Sequence, residues 1–323
     1  MIVKYQVASA CKLVISQNNK QKQKGKNKMN FKINPVEKLA LVLGANEYVK
    51  EIAQKTGQQI QPLIPLTVGQ PGSGHINGAA RILGKAETEI VVLNHSLPSD
   101  IVGIPVPNII NPLDLLNDLF GLVMHGNIPR DRIDGVIGDN NDKAVNRSFL
   151  PKWVGYKNVI FDGIDKVNEN VLADILYVIL EREIYGYPLE DKVFILCAEP
   201  SILTHLKHSS VDTYRLLREF CVIIPFPVKD LKRHMGEKYG LNFDETSLEN
   251  EDKEIIEFQM GEPPQLVKNY IEHFVDYLLS RDEVKDKGAE DKISYVNDVV
   301  SELFYYYDLP FEIETIVRQK LFK

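Results

Sequence analysis

Apolar residues fall in two rhythms along this chain. Short unbroken runs of β-branched and aliphatic residues occupy positions 66–68, 90–93, 159–161, 193–197 and 222–226. Between them the spacing changes to threes and fours, which predicts helices over 76–83, 113–124, 171–183 and 203–218. A strand that is apolar at successive positions is covered on both faces. Strands of that kind alternating with helices predict a parallel sheet between two helical layers. The expected fold class is therefore α/β, a three-layer core around a parallel five-stranded sheet. After Pro225 and Pro227 the strand signal stops. Apolar residues at Leu266, Tyr270, Ile271, Phe274 and Leu278 mark one helix over 266–279, and Ile293, Val296, Val300, Leu303 and Tyr307 mark another over 293–307. A small all-helical unit is expected to follow the core. The aromatic run Phe304 to Tyr307 fits the core of that unit better than a stacking platform for bases.

Composition narrows the class. With 323 residues, 44% hydrophobic and 26% charged, the chain has the make-up of a folded globular protein and not of a disordered polymer. No apolar run reaches the ~18 residues a membrane span needs, so no membrane partner is expected. Three cysteines, Cys11, Cys197 and Cys221, are too few and too odd in number for a disulfide framework, which points to a reducing, cytoplasmic setting. Charge is segregated. Residues 1–36 hold eight lysines and no acid, so that stretch is +8 and the remainder -15 within a net charge of -7. The expected division is a basic arm over 1–34, an α/β core over 35–227 and a helical lid with C-terminal helices over 228–323. The arm reads as a solvated tail or as a contact for nucleic acid. Met29 follows its low-complexity tract and is a second candidate start. Between Asp244 and Glu262 eight acids meet one base, Lys253, as on a solvated face.

Candidate chemistry begins where the first strand ends. Gly69-Gln70-Pro71-Gly72-Ser73-Gly74-His75-Ile76 joins a strand to a helix, an arrangement that turns successive backbone N–H groups toward a phosphate at the positive end of the helix. The spacing is that of G-x-x-x-x-G-K-[ST]. His75, however, stands where the lysine reaches the β- and γ-phosphates, and Ile76 stands where a hydroxyl holds Mg²⁺. Farther on, Asn158-Val159-Ile160-Phe161-Asp162 is an apolar strand ending in an acid, as a Walker-B strand does. His205-x-x-His208 has helical metal-ligand spacing with no third ligand nearby.

Taken in order, several segments resemble the AAA+ P-loop ATPases, specifically the MoxR-like branch. They are the glycine loop, Leu97-Pro98-Ser99-Asp100-Ile101-Val102-Gly103 after the second run, the strand ending at Asp162, Leu180-Glu181-Arg182-Glu183-Ile184, and Val193 to Pro200. The resemblance spans roughly residues 35 to 280. It implies nucleotide contacts at Gly69, Pro71, Gly72, Ser73, Gly74, His75 and Ile76, and an Asp162 carboxylate that orients Mg²⁺ on ATP or ADP. It also exposes departures. Gly163 stands where the family has its water-activating glutamate, Glu199 at the sensor-1 asparagine, Glu219 at the arginine finger with Arg218 one residue away, and Gln265 at the sensor-2 arginine.

Magnitudes weigh these losses. A missing general base typically costs ~10²–10⁴ in rate and a missing arginine finger ~10³–10⁵, and though such effects do not add, little hydrolysis is left. The resemblance therefore implies a MoxR-like pseudo-ATPase, a subunit of an AAA+ ring or a cap on one, acting in protein remodelling with a von Willebrand A-type partner. The long connection over 126–158 is its candidate client contact. Two alternatives stay open. One is a working ATPase with Asp165 in place of the glutamate and Arg218 as a displaced finger; the other is a clamp-loader-like subunit touching DNA through the arm.

Overall fold

Five short strands build the centre: β1 (Ile64–Val68), β2 (Thr88–Val92), β3 (Asn158–Asp162), β4 (Val193–Ala198) and β5 (Cys221–Pro225). They form one parallel sheet in the order β2-β3-β4-β1-β5. The computed structural model describes residues 33–57, 60–96, 98–105, 148–202, 205, 211–228, 240, 260–309 and 312–322. The basic arm up to residue 32, the helix expected over 113–124, the acidic stretch 244–257 and His208 lie outside the described residues.

All five residues of β1 are buried, and β3, β4 and β5 are nearly so, which is why each reads as an unbroken apolar run. The helix α1 (Pro35–Thr56) opens with Asn34 as its N-cap, whose Oδ1 accepts the Glu37 N–H at 2.8 Å, and closes on Gly57 at φ 71°. The helix α2 (His75–Leu83) leaves the glycine loop and packs on α1, β1, β3 and β4. Next come α3 (Pro98–Val102), α4 (Glu169–Glu181) and α5 (Val211–Phe220), which are packed in a row, α3 on α4 and α4 on α5. α2 thus packs with α1, whereas α3, α4 and α5 form a separate row. The described part of the helix expected over 203–218 starts at Val211 and runs to Phe220.

The C-terminal helices are α6 (Gln265–Ser280), α7 (Ala289–Leu303) and α8 (Glu312–Leu321). The second helix expected there ends four residues early, at Leu303. The chain turns because Tyr307 bridges to Gly261, the Met260 N–H bonds the Tyr306 carbonyl at 2.8 Å, and the Asp308 N–H bonds the Gly261 carbonyl at 3.0 Å. Phe304, Tyr306 and Tyr307 are buried, so no base could stack on them. Tyr306 also guards the sheet. β5 is an edge strand, and its Ile223 N–H donates to the Tyr306 hydroxyl at 2.9 Å. Helix α6 packs against α1 and α5, and α7 against β5, so these helices share one apolar core with the sheet.

Candidate functional site

In the sheet register Val68, Ala198, Asp162 and Pro225 end neighbouring strands at one edge. Their successors, Gly69, Glu199, Gly163 and Phe226, therefore stand side by side above it. Parallel sheets place their sites along this carboxyl edge. The register brings the glycine loop, the acid at the end of β3 and Glu199 after β4 together.

The loop is held from below and filled from within. Gly69 N–H donates to the Ala198 carbonyl at 3.0 Å, and Ser73 N–H closes a turn on the Gln70 carbonyl at 2.9 Å. Gly72 and Gly74 take φ of 90° and 82°, which only glycine adopts without strain. Pro71 and Gly72 form the exposed tip, and Ile76 rests half-buried on the core. Ser73 and His75 are turned inward, 4% and 7% exposed, with Ser73 Oγ and His75 Nδ1 2.7 Å apart. They occupy the space over Gly69. A Cβ there would lie 2.2 Å from Ser73 Oγ and 3.0 Å from His75 Nδ1. The His75 ring meets Phe226 edge-on at 6.5 Å between centroids. Burial holds the His75 pKa below its usual 6.5, with Asp165 and Glu199 pulling the other way, so the imidazole is neutral at pH 7.

Across the gap lies a carboxylate group. Burial, helped by the charge of Asp165, raises the pKa of Asp162 above the ordinary carboxylate value, and a hydrogen bond from the Gly163 N–H opposes it. Lys166 joins the ends of β3 and β4: its Nζ stands 2.7 Å from Asp165 Oδ2 and 3.0 Å from Glu199 Oε1. Asp165 Oδ1 accepts the Glu199 N–H at 3.1 Å. Three carboxylates thus face one ammonium and a neutral histidine. Nothing in the local sequence announces Lys166 as a bridge, because Glu199 lies far along the chain and only strand register brings the two together.

A Mg²⁺ ion finds a poor ligand set here. Ile76 offers no oxygen, and Ser73 Oγ is committed to His75. The Asp165 side chain is 5% exposed, with Oδ1 accepting the Glu199 N–H and Oδ2 paired in charge with Lys166. Gly163 sits at φ 81°, a conformation a glutamate would enter only under strain. Arg218 precedes β5 and so lies at the opposite edge of the sheet from Gly69. Its Nη2 donates to the Glu262 carbonyl, and its own carbonyl accepts the Tyr307 hydroxyl. Glu219 pairs with Arg215 at 3.2 Å, and Gln265 starts α6, exposed, with its Nε2 2.8 Å from Asn269 Oδ1. Cys197 is sealed beneath the site and accepts the Thr67 hydroxyl at 3.0 Å. Burial pushes its thiol up to about 12, so it is inert. Among the described residues no cluster of histidine, cysteine and acid could hold a metal ion. Nor is any described helix long and apolar enough to cross a membrane.

No family model and no curated protein matches the chain. Among solved structures it is similar to one named "a putative ATPase" from Cytophaga hutchinsonii. The two are 14% identical over 88% of this chain and 85% of that one, at a TM-score of 0.32. A likeness that weak supports no conclusion, and the assignment of an α/β fold of the P-loop kind rests on the strand order and loop geometry given above.

Proposed function

We propose that this chain is a non-hydrolysing descendant of an AAA+ P-loop ATPase, of MoxR-like type, kept for its shape and its contacts. The observation that carries the reading is the filled loop. Ser73 and His75 occupy the space over Gly69, where a phosphate would approach the backbone N–H groups. The carboxylates of Asp162, Asp165 and Glu199 repel a polyphosphate from the other side, and Lys166 is committed to two of them. ATP or ADP then binds weakly and Mg²⁺ adds little. In this role the chain is a ring subunit or a cap beside active AAA+ subunits, the C-terminal helices serve as its lid, and a von Willebrand A-type protein is the partner its motif pattern implies. Arg218, at the other end of the sheet, would serve in this role as a contact toward a neighbouring subunit.

The test is titration of labelled ATP and ADP with Mg²⁺ against the purified chain, with phosphate release followed alone and with ring partners. We expect no release above that of an Asp162→Ala control. Turnover by the chain alone that Asp162→Ala abolishes would overturn the reading in favour of a working ATPase.

A further inference from the structure

At the end of the sheet away from the glycine loop, two cavities share one arginine. Arg182 caps α4 at φ 56°, a left-handed conformation that a non-glycine residue enters at some cost. Its guanidinium is directed inward: Nη1 donates to the Lys192 carbonyl at 2.8 Å, and the group stands 5.3 Å from the centre of the Phe194 ring. Lys192, next to it, gives its ammonium to the carbonyls of Val154 and Tyr156. Among the described residues neither cation has a carboxylate within ion-pair distance. The nearby Glu47 is paired to Lys50 at 3.3 Å. Half-buried cations are ordinarily matched by an anion, and here both are met by neutral acceptors only. Burial accordingly lowers the pKa of each, with Glu47 partly offsetting it for Arg182.

One of the two cavities is small, about 30 Å³, and lies between α1 and the starts of β1 and β4. The other is an open cleft of about 910 Å³ between α1, the end of α4 and the start of α6. Ile60, Ile179, Leu180 and Leu266 give it apolar walls, and Asn269 and His273 add polar atoms on the α6 side. His273 Nδ1 is enclosed without a hydrogen-bond partner, 4.0 Å from Asp276. A volume of this size is in the range of small-molecule sites, ~300–1,000 Å³.

We infer that this cleft binds an organic monocarboxylate, with the Arg182 guanidinium pairing its two oxygens and the apolar walls taking its carbon body. The planar fork matches a carboxylate two by two. A dianion such as a phosphate monoester is disfavoured, because Glu47 and Glu272 line the two cavities. This site is independent of the glycine loop and does not rest on the reading given for it.

Calorimetric titration of the full chain with octanoate, and with octanamide as the neutral probe of equal length, tests the inference. Octanoate should saturate one site per chain and bind at least tenfold more tightly than octanamide. Arg182→Met should bring octanoate down to the amide's level. Since Arg182 also touches Phe194 and Lys192, a second variant, Leu266→Trp, narrows the apolar wall of the cleft while leaving those partners alone, and it should weaken octanoate binding. Equal affinity for acid and amide, no octanoate binding to the unmodified chain, or unchanged binding in Leu266→Trp would each overturn the inference.

Discussion

His75 is the residue on which the reading of the loop turns. From sequence it is a histidine in a lysine's place, and a cation reaching a phosphate is one role open to it. The fold turns it the other way, onto Ser73 and Phe226, and burial favours its neutral form. The consequence for stability has a definite sign. Because the folded-state pKa lies below the unfolded value of 6.5, the unfolded chain takes up the proton first. Stability from this group is complete above pH 6.5 and is lost as pH falls through the folded-state value. Asp162, with a raised pKa, contributes the opposite slope in the carboxylate range. In an NMR titration the His75 ring protons should show a midpoint below 6.5, and the urea midpoint should fall on acidification from pH 7. The part of that fall due to this group should vanish in His75→Gln; a midpoint above 6.5 would mean that the ring is solvated or paired with an acid. The glycine spacing of the loop was legible in the sequence. The Ser73–His75 contact was not, since a dipeptide spacing of two says nothing about whether side chains point in or out.

At the scale of elements, periodicity located most of the described strands and helices because they bury apolar faces. It missed where α7 stops. Val300, Leu303, Phe304 and Tyr307 keep a helical spacing, but the chain leaves the helix at Leu303 so that Tyr306 can reach the buried outer side of β5, which no further strand pairs. A hydroxyl that satisfies an edge-strand N–H, with a bridge to Gly261, outweighs one more helical turn. Tyr306→Phe keeps the ring and leaves the Ile223 N–H unpaired in a buried place, so it should cost about 1–3 kcal/mol of stability. Urea unfolding measures the loss, and faster amide exchange at Ile223 locates it. An unchanged midpoint together with slow exchange would show that water replaces the hydroxyl. The aromatic group behind β3 and β4 is the counterpart on the sheet. Trp153 lies 5.5 Å from Phe161 and 6.0 Å from Phe194, and its Nε1–H donates to the Ile101 carbonyl at 2.8 Å. This tryptophan is buried at no polar cost, and it ties α3 to the sheet.

Over the whole molecule, the C-terminal helices are bound to the first helix as well as to the sheet. Lys38, 8% exposed, reaches across from α1 to α7, with Nζ 2.7 Å from Glu302 Oε2 and 3.0 Å from its carbonyl. Tyr270 of α6 donates to Asn46 Oδ1 of α1 at 2.9 Å, and Asn46 Nδ2 donates to the Leu63 carbonyl at 2.7 Å. A shared core of this kind should unfold as a unit. Lys38→Met leaves Glu302 without its buried partner and should lower stability by about 1–3 kcal/mol while preserving one cooperative transition. Two separate transitions by circular dichroism and tryptophan fluorescence would show that the helices fold apart from the sheet. Arg218 and α6 are held to the same body as the glycine loop, with Arg218 just before the start of β5 and so at the other end of the sheet.

By itself the sequence determined the fold class, the site of the glycine loop and the acid that ends β3, because these follow from burial periodicity and from backbone conformations that only glycine permits. It also carried the departures from the motifs it resembles, at His75, Ile76, Gly163, Glu199, Glu219 and Gln265. Only the tertiary structure decided what fills the loop, that Lys166 spans Asp165 and Glu199, that Arg218 lies at the other end of the sheet from the loop, and that Arg182 and Lys192 have no carboxylate within ion-pair distance among the described residues. Those facts depend on strand register and on side-chain direction across elements far apart in the chain. Local sequence sets neither, since the same residues in another register would meet different partners.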